Sequence, residues 1–215
     1  MSPLVRAEGY RVLARCFGEA PAEELREDLL AATEAPELTE LAALVPLVND
    51  ELPEDRVALF GRGVLVSPYE NGWIRAVPGV HLGQLATLYE LFGARVSGGE
   101  RVDHLSTELE FAALLSLKEA ILDHSGDSEG AARVRAGRKV LMEEHLGRWA
   151  PRFCEGLKRA TDLTFWHMAA EALDRFLELD FVDHGWVPGV AQDPLPGEGA
   201  DPLTCPHACE AEPEA

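Results

Sequence analysis

Basic residues are scarce in this chain. Nineteen Lys and Arg stand against 38 Asp and Glu, a formal net charge of −19. Such a surface repels nucleic-acid phosphates and anionic lipid heads and attracts cationic partners, although the same acidity also serves solubility. Long apolar runs are missing too, since none approaches the roughly 20 residues that cross a bilayer. Met1–Tyr10 carries Arg6 and Glu8 and lacks the apolar centre of a signal peptide, so the expected location is cytoplasmic. Four cysteines, Cys16, Cys154, Cys205 and Cys209, do not make a disulfide framework in 215 residues. There is no Gly-x-Ser-x-Gly elbow. No Lys-Ser or Lys-Thr follows Gly93–Gly99, which excludes a phosphate loop there.

What remains is apolar residues, 47% of the chain, spaced for helices. Leu4, Tyr10, Leu13, Ala14 and Phe17 form a first stripe. Helices are predicted over Ala22–Ala32 behind Pro21, over Glu37–Val45 ended near Pro46, and from Pro53 to Phe60, stopped by Gly61 and Gly63. Residues 64–79, with Pro68, Gly72, Pro78 and Gly79, read as a long ordered loop. Helix resumes over Leu82–Phe92, and Ser97-Gly98-Gly99 is a turn. Another helix covers His104–His124, with Asp103 as its N-cap and Glu108 and Glu110 near the positive end of its dipole. A helix over about Glu129–Trp149, a shorter one begun by Pro151 and a last one over Leu163–Val182 complete the pattern. The expectation is an all-α protein: one helical domain of roughly eight helices over residues 1–185, with a long central loop. A Pro/Gly/acidic tail over 186–215 is expected to be mobile.

Two stretches interrupt the bland pattern, and each has two open readings. Asp103-His104 is either a working pair, with the carboxylate tuning the imidazole, or a cap beside a solvated first-turn residue. In Ser67-Pro68-Tyr69-Glu70-Asn71-Gly72-Trp73, the aromatic rings either plug the core or line a groove for an apolar peptide, with Glu70 available for an arginine. An aromatic turn followed by an acidic helix start suits a peptide-binding cleft better than a catalytic centre. Cys205-Pro-His-Ala-Cys209 offers a single C-x3-C, either free thiols or, with His184 or His207, a metal site; that second reading makes the chain a metal-binding protein or metal-dependent enzyme. His145 and His167 read as structural histidines, so no metal ligand is assigned in the helical body.

Ser-Pro-Tyr-Glu at 67–70 and Asp-His-Leu-Ser-Thr-Glu-Leu-Glu-Phe at 103–111 resemble motifs of the TorD/DmsD and NarJ chaperones, which mature molybdenum enzymes of the dimethyl sulfoxide reductase type. Glu144–Phe153 resembles that family's His-Leu-x-x-Trp-x-Pro-x-Phe segment. The similarity covers roughly residues 4–185. One departure is Val102, where the family often has proline before Asp-His; the tail is reminiscent of members serving type II clients, such as nitrate, chlorate, selenate or ethylbenzene enzymes. The resemblance implies a TorD-like fold and a chaperone, not an enzyme, with no cofactor of its own. Its partner would be the apo catalytic subunit of a molybdopterin oxidoreductase and that subunit's N-terminal leader, a twin-arginine signal peptide in exported clients. Tyr69, Glu70, Trp73, Asp103, His104 and Glu108 are the peptide-binding residues this implies: rings and the Leu82–Phe92 face for apolar contact, carboxylates for arginines. His104 would make binding pH-sensitive. The chain would be a monomer, or a dimer swapping helices through the 96–103 turn.

Overall fold

A computed structural model describes residues 1–61, 64–75, 77–96 and 101–190. The Ser97-Gly98-Gly99 turn, Gly63, and the Cys205, His207 and Cys209 cluster lie outside the described residues.

Local signals start and stop the helices. Helix α1 (Pro3–Phe17) begins where the Ser2 side chain accepts from the Val5 amide, with proline in its first turn. Helix α2 (Ala22–Ala32) follows Pro21, and a 3₁₀ segment occupies Pro36–Leu47. Helix α3 (Leu52–Phe60) ends at Gly61. After the loop come α4 (Pro78–Leu91) and α5 (Leu105–Ser125); the latter is closed by Gly126 at φ +79°, a left-handed cap that glycine adopts without strain. Asp127 caps α6 (Ser128–Val140) by accepting from the Gly130 amide at 2.8 Å. A π turn (Leu141–Leu146) leads into α7 (Gly147–Ala160), and α8 (Thr164–His184) ends at Gly185. The fold is all-α, with eight α-helices and no strand among the described residues.

Helix α1 lies along α5, α5 packs on α6, α7 on α8, and α8 also meets α1 and the 3₁₀ segment. Tyr10, Leu13, Phe17, Leu109, Leu115, Trp149, Phe153, Trp166 and Leu173 fill the space between them. The core is crossed by a buried ionic cluster. Asp180 on α8 accepts from Tyr10 at 2.6 Å and from Arg138 at 2.7 Å. Arg6 Nε lies 2.7 Å from its other oxygen, an ion pair without hydrogen-bond geometry. Glu119 on α5 completes the cluster, 3.5 Å from Arg138.

Three sequence expectations need correction. Leu4 is exposed, one turn before the stripe turns inward. Asp103 does not cap α5; the His104 side chain does, accepting from the Ser106 amide. Pro151 does not start a helix but sits one turn inside α7, and the break ahead of it is the π turn. Residues 186–190 pack back on that turn: the Gly189 amide donates to the Glu143 carbonyl at 2.7 Å, and Val187 donates to the Glu143 carboxylate.

Candidate functional site

The central loop is tied to the start of α5 by its backbone. Tyr69 and His104 form an isolated antiparallel bridge; Glu70 N–H donates to Asp103 O at 2.9 Å, and Leu105 N–H donates to Pro68 O at 2.8 Å. Pro68 has no amide to donate to a longer ladder, and the pairing stops at this bridge. Arg101 grips both Asp103 oxygens at 2.9 Å and lays its guanidinium over the Tyr69 ring at 4.3 Å. Tyr69 meets His104 edge-on at 5.3 Å.

The motifs 67–73 and 103–111, 30 residues apart in the chain, are therefore one structural unit. It brings Tyr69, Glu70, Asp103 and His104 together, and Glu108 stands one turn further along α5. Trp73 turns the other way. Its indole donates to Ser67 O at 2.8 Å, its carbonyl accepts from Arg152, and its ring edge packs on Phe153 and Gly156 of α7. It is the plug reading that fits Trp73, partly buried as it is.

The acids point inward. Glu70, Asp103 and Glu108 are all 0% exposed. The expectation that these carboxylates stand open to a client's arginines does not match this geometry, because each already serves a partner inside the chain. Glu108 accepts from the Trp149 indole at 3.2 Å. Burial, with the neighbouring Glu70 charge, pushes the Glu108 carboxyl well up, against the Trp149 bond. His104 is moved as well: burial drives its imidazole down to about 4, although Asp103 pulls the other way. It stays neutral near pH 7, so the pH-sensitivity expected of it falls in a more acidic range.

Glu70 gathers two residues that the sequence did not connect with it. On the 3₁₀ turn Glu70–Gly72 its Oε2 lies 2.5 Å from His81 Nε2 of α4 and 3.2 Å from His145 Nδ1 of the π turn. All three side chains are buried. Burial works to raise the Glu70 carboxyl, but the bonds from His145 and His81 outweigh it and hold it below its usual range. His145 had read as a lone structural histidine and His81 had carried no signal, because nothing in their spacing pairs them. The two histidines also line a cleft of about 440 Å³ between α4 and the α6–π junction, with Gln84, Leu88, Leu91 and Arg148. Leu91 and Val140 at its rim are exposed, 75% and 45%.

Comparison with known proteins extends the picture. The family model described as nitrate reductase delta subunit matches residues 19–155, a span holding the loop, the start of α5 and the π turn. The chlorate reductase assembly chaperone protein of Ideonella dechloratans is 34% identical over 173 residues, covering 76% of this chain and 82% of the relative. The selenate reductase assembly chaperone protein of Thauera selenatis is 32% identical over 174 residues, with the same shares, 76% and 82%.

Proposed function

This chain belongs to the nitrate reductase delta subunit family, and from that premise we propose that it is an assembly chaperone for a molybdenum-dependent reductase. The observation that carries the reading is the 34% and 32% identity, over three quarters of the chain, to two proteins named as assembly chaperones of chlorate and selenate reductases. The client is then an unfinished catalytic subunit of an oxyanion reductase of that kind. The chaperone holds it open in the cytoplasm while its molybdenum cofactor is inserted, and performs no covalent chemistry itself.

The docking surface is the cleft beside the loop–α5 unit. Leu88, Leu91 and Val140 give it an apolar wall against which a short apolar segment of the client packs. The net charge of −19 draws a cationic leader towards it over a long range, which speeds encounter more than it tightens the complex. The loop–α5 unit meets α4 through Glu70, bonded to His81, and through the Val102 carbonyl, which accepts from the Tyr89 hydroxyl at 2.8 Å.

The test is titration calorimetry of the full chain against the apo catalytic subunit and, separately, its synthetic leader. Saturable binding to the subunit, weakened by Leu91→Asp with Val140→Asp, is the expected result. Affinity for the leader should fall as salt rises. No binding to any apo molybdenum reductase subunit would sink the chaperone reading; binding indifferent to the two aspartates would sink the cleft assignment alone.

A further inference from the structure

We propose that Glu70, His81 and His145 form a site for one divalent transition-metal ion of the zinc type, at the floor of the cleft between α4 and the π turn. The three donor atoms come from three separate elements and lie within 4.8 Å of one another. Two imidazole nitrogens and one carboxylate oxygen are the donor set that zinc takes in sites with three protein ligands and an open fourth position. Metal–ligand lengths of about 2.0–2.1 Å put the donors of a tetrahedral site about 3.3 Å apart. The Glu70–His145 separation of 3.2 Å already matches that figure, the Glu70–His81 separation of 2.5 Å must open by about 0.8 Å, and the two histidine nitrogens lie no more than 4.8 Å apart.

A second observation is independent of the spacing. Glu70 Oε1 is buried and has no hydrogen-bond partner among the described residues. A carboxylate that is 0% exposed usually satisfies both oxygens, and one left bare is costly. A cation held by both Glu70 oxygens answers that cost directly. The backbone supplies a third feature. His145 stands in the π turn, a helical irregularity that recurs at functional sites because it re-aims one side chain. Here it turns His145 Nδ1 onto Glu70. The cleft gives an ion its route in, and water from the cleft fills the fourth position.

On loading, the ring nitrogen of each histidine that faces Glu70 donates its lone pair to the ion, and the ring's single proton sits on the other nitrogen. No redox step is involved. The site draws no ligand from Cys205, His207 or Cys209, and its existence does not depend on the chaperone reading.

The experiment uses the full chain carrying Cys205→Ser and Cys209→Ser, so that the tail thiols cannot compete. It is titrated with cobalt(II) alone, then with zinc(II). The expected result is one equivalent of cobalt with the visible absorption of a four-coordinate ion, no thiolate charge-transfer band, and displacement by zinc. His81→Ala and Glu70→Gln should each weaken binding by more than the roughly 10–100-fold that loss of an outer-shell partner costs. Absence of stoichiometric uptake overturns the proposal, as does uptake that both variants retain. Should His81→Ala lose its helical circular dichroism, histidine-ring NMR of the folded parent decides: zinc must perturb two of the seven rings strongly, and perturbation of none, or of His207 instead, overturns the site.

Discussion

His104 closes the central loop and starts α5 with the same side chain. Its Nδ1 accepts from the Ser106 amide and from the Ser106 hydroxyl at 2.7 Å, which only a neutral ring can do. Protonation at that nitrogen removes the cap. Because burial lowers the folded-state value to about 4, below the ordinary 6.5, the unfolded chain binds the proton first. The stabilisation is therefore complete above about pH 6.5 and is lost as pH falls through 4, on the order of 1–3 kcal/mol. Urea unfolding at pH 7 and at pH 4.5 tests this. His104→Asn keeps a capping acceptor without a titrating group, so it should lose less stability between the two pH values than the parent; equal losses would refute the assignment. Glu108 carries the opposite sign. Its carboxyl is raised, so its contribution is present at low pH and is lost as pH rises through its folded-state value. Glu108→Gln keeps an acceptor for the Trp149 indole and has no charge to bury. It should raise the melting temperature at pH 7 by a few degrees, about 1 kcal/mol, and change it little at pH 4. A lower melting temperature at pH 7 would mean that the carboxylate charge is wanted there.

Helices carry their signals in unequal ways. The 22–32 and 52–60 helices were legible because proline opens them and their apolar residues recur at helical spacing. The end expected at His124 falls one residue short of Ser125, after which Gly126 closes α5. The π turn was not: it inserts one residue into a helix without disturbing the polarity pattern, so Glu129–Trp149 reads as one helix and Pro151 as a start. The site followed the same rule. Residues joined by motif, Tyr69, Glu70, Asp103 and His104, were identified as a group, and a backbone bridge joins them. The direction in which their carboxylates point was invisible, because burial depends on what α4 and α7 bring from elsewhere. His81 and His145 had no shared motif, and only the fold brings them within reach of Glu70. Trp73 shows how tightly one element constrains another. A methyl group added at Gly156 of α7 would stand 2.5 Å from the indole Cη2, inside contact distance. Gly156→Ala should cost about 1–3 kcal/mol by forcing the ring off Phe153. Thermal unfolding checks the cost. An unchanged melting temperature would mean that the ring has room to move, and that the central loop is not pinned to α7 through Trp73.

At the scale of the whole molecule, the question is what joins the helices into one cooperative body when the surface carries so much negative charge. The apolar core supplies most of the driving force, but it is non-directional. The ionic cluster at Asp180 adds direction, since it takes one residue or more from each of α1, α5, α6 and α8. Burial would raise the Asp180 carboxyl, yet the His184 bond, Arg138, Arg6 and Tyr10 together hold it at about 2. The folded-state value lies below the ordinary 3.9 or so. Its stabilisation is therefore present above about pH 4 and is lost as pH falls towards 2, about 2 kcal/mol by the shift alone. Removing the charge outright is worse, because Arg6 and Arg138 then stay buried with only the more distant Glu119 to share: Asp180→Asn should cost about 3–5 kcal/mol at pH 7. The acid unfolding profile of the parent should thus fall in two stages, a shallow one between pH 6.5 and 4 that His104→Asn flattens and a steeper one below pH 4 that it leaves untouched. Circular dichroism followed against pH and urea separates them. A single stage below pH 4 in Glu108→Gln, where the opposing carboxyl is gone, would show that His104 contributes nothing, and no steepening below pH 4 would show that the Asp180 cluster is not what holds these four helices together.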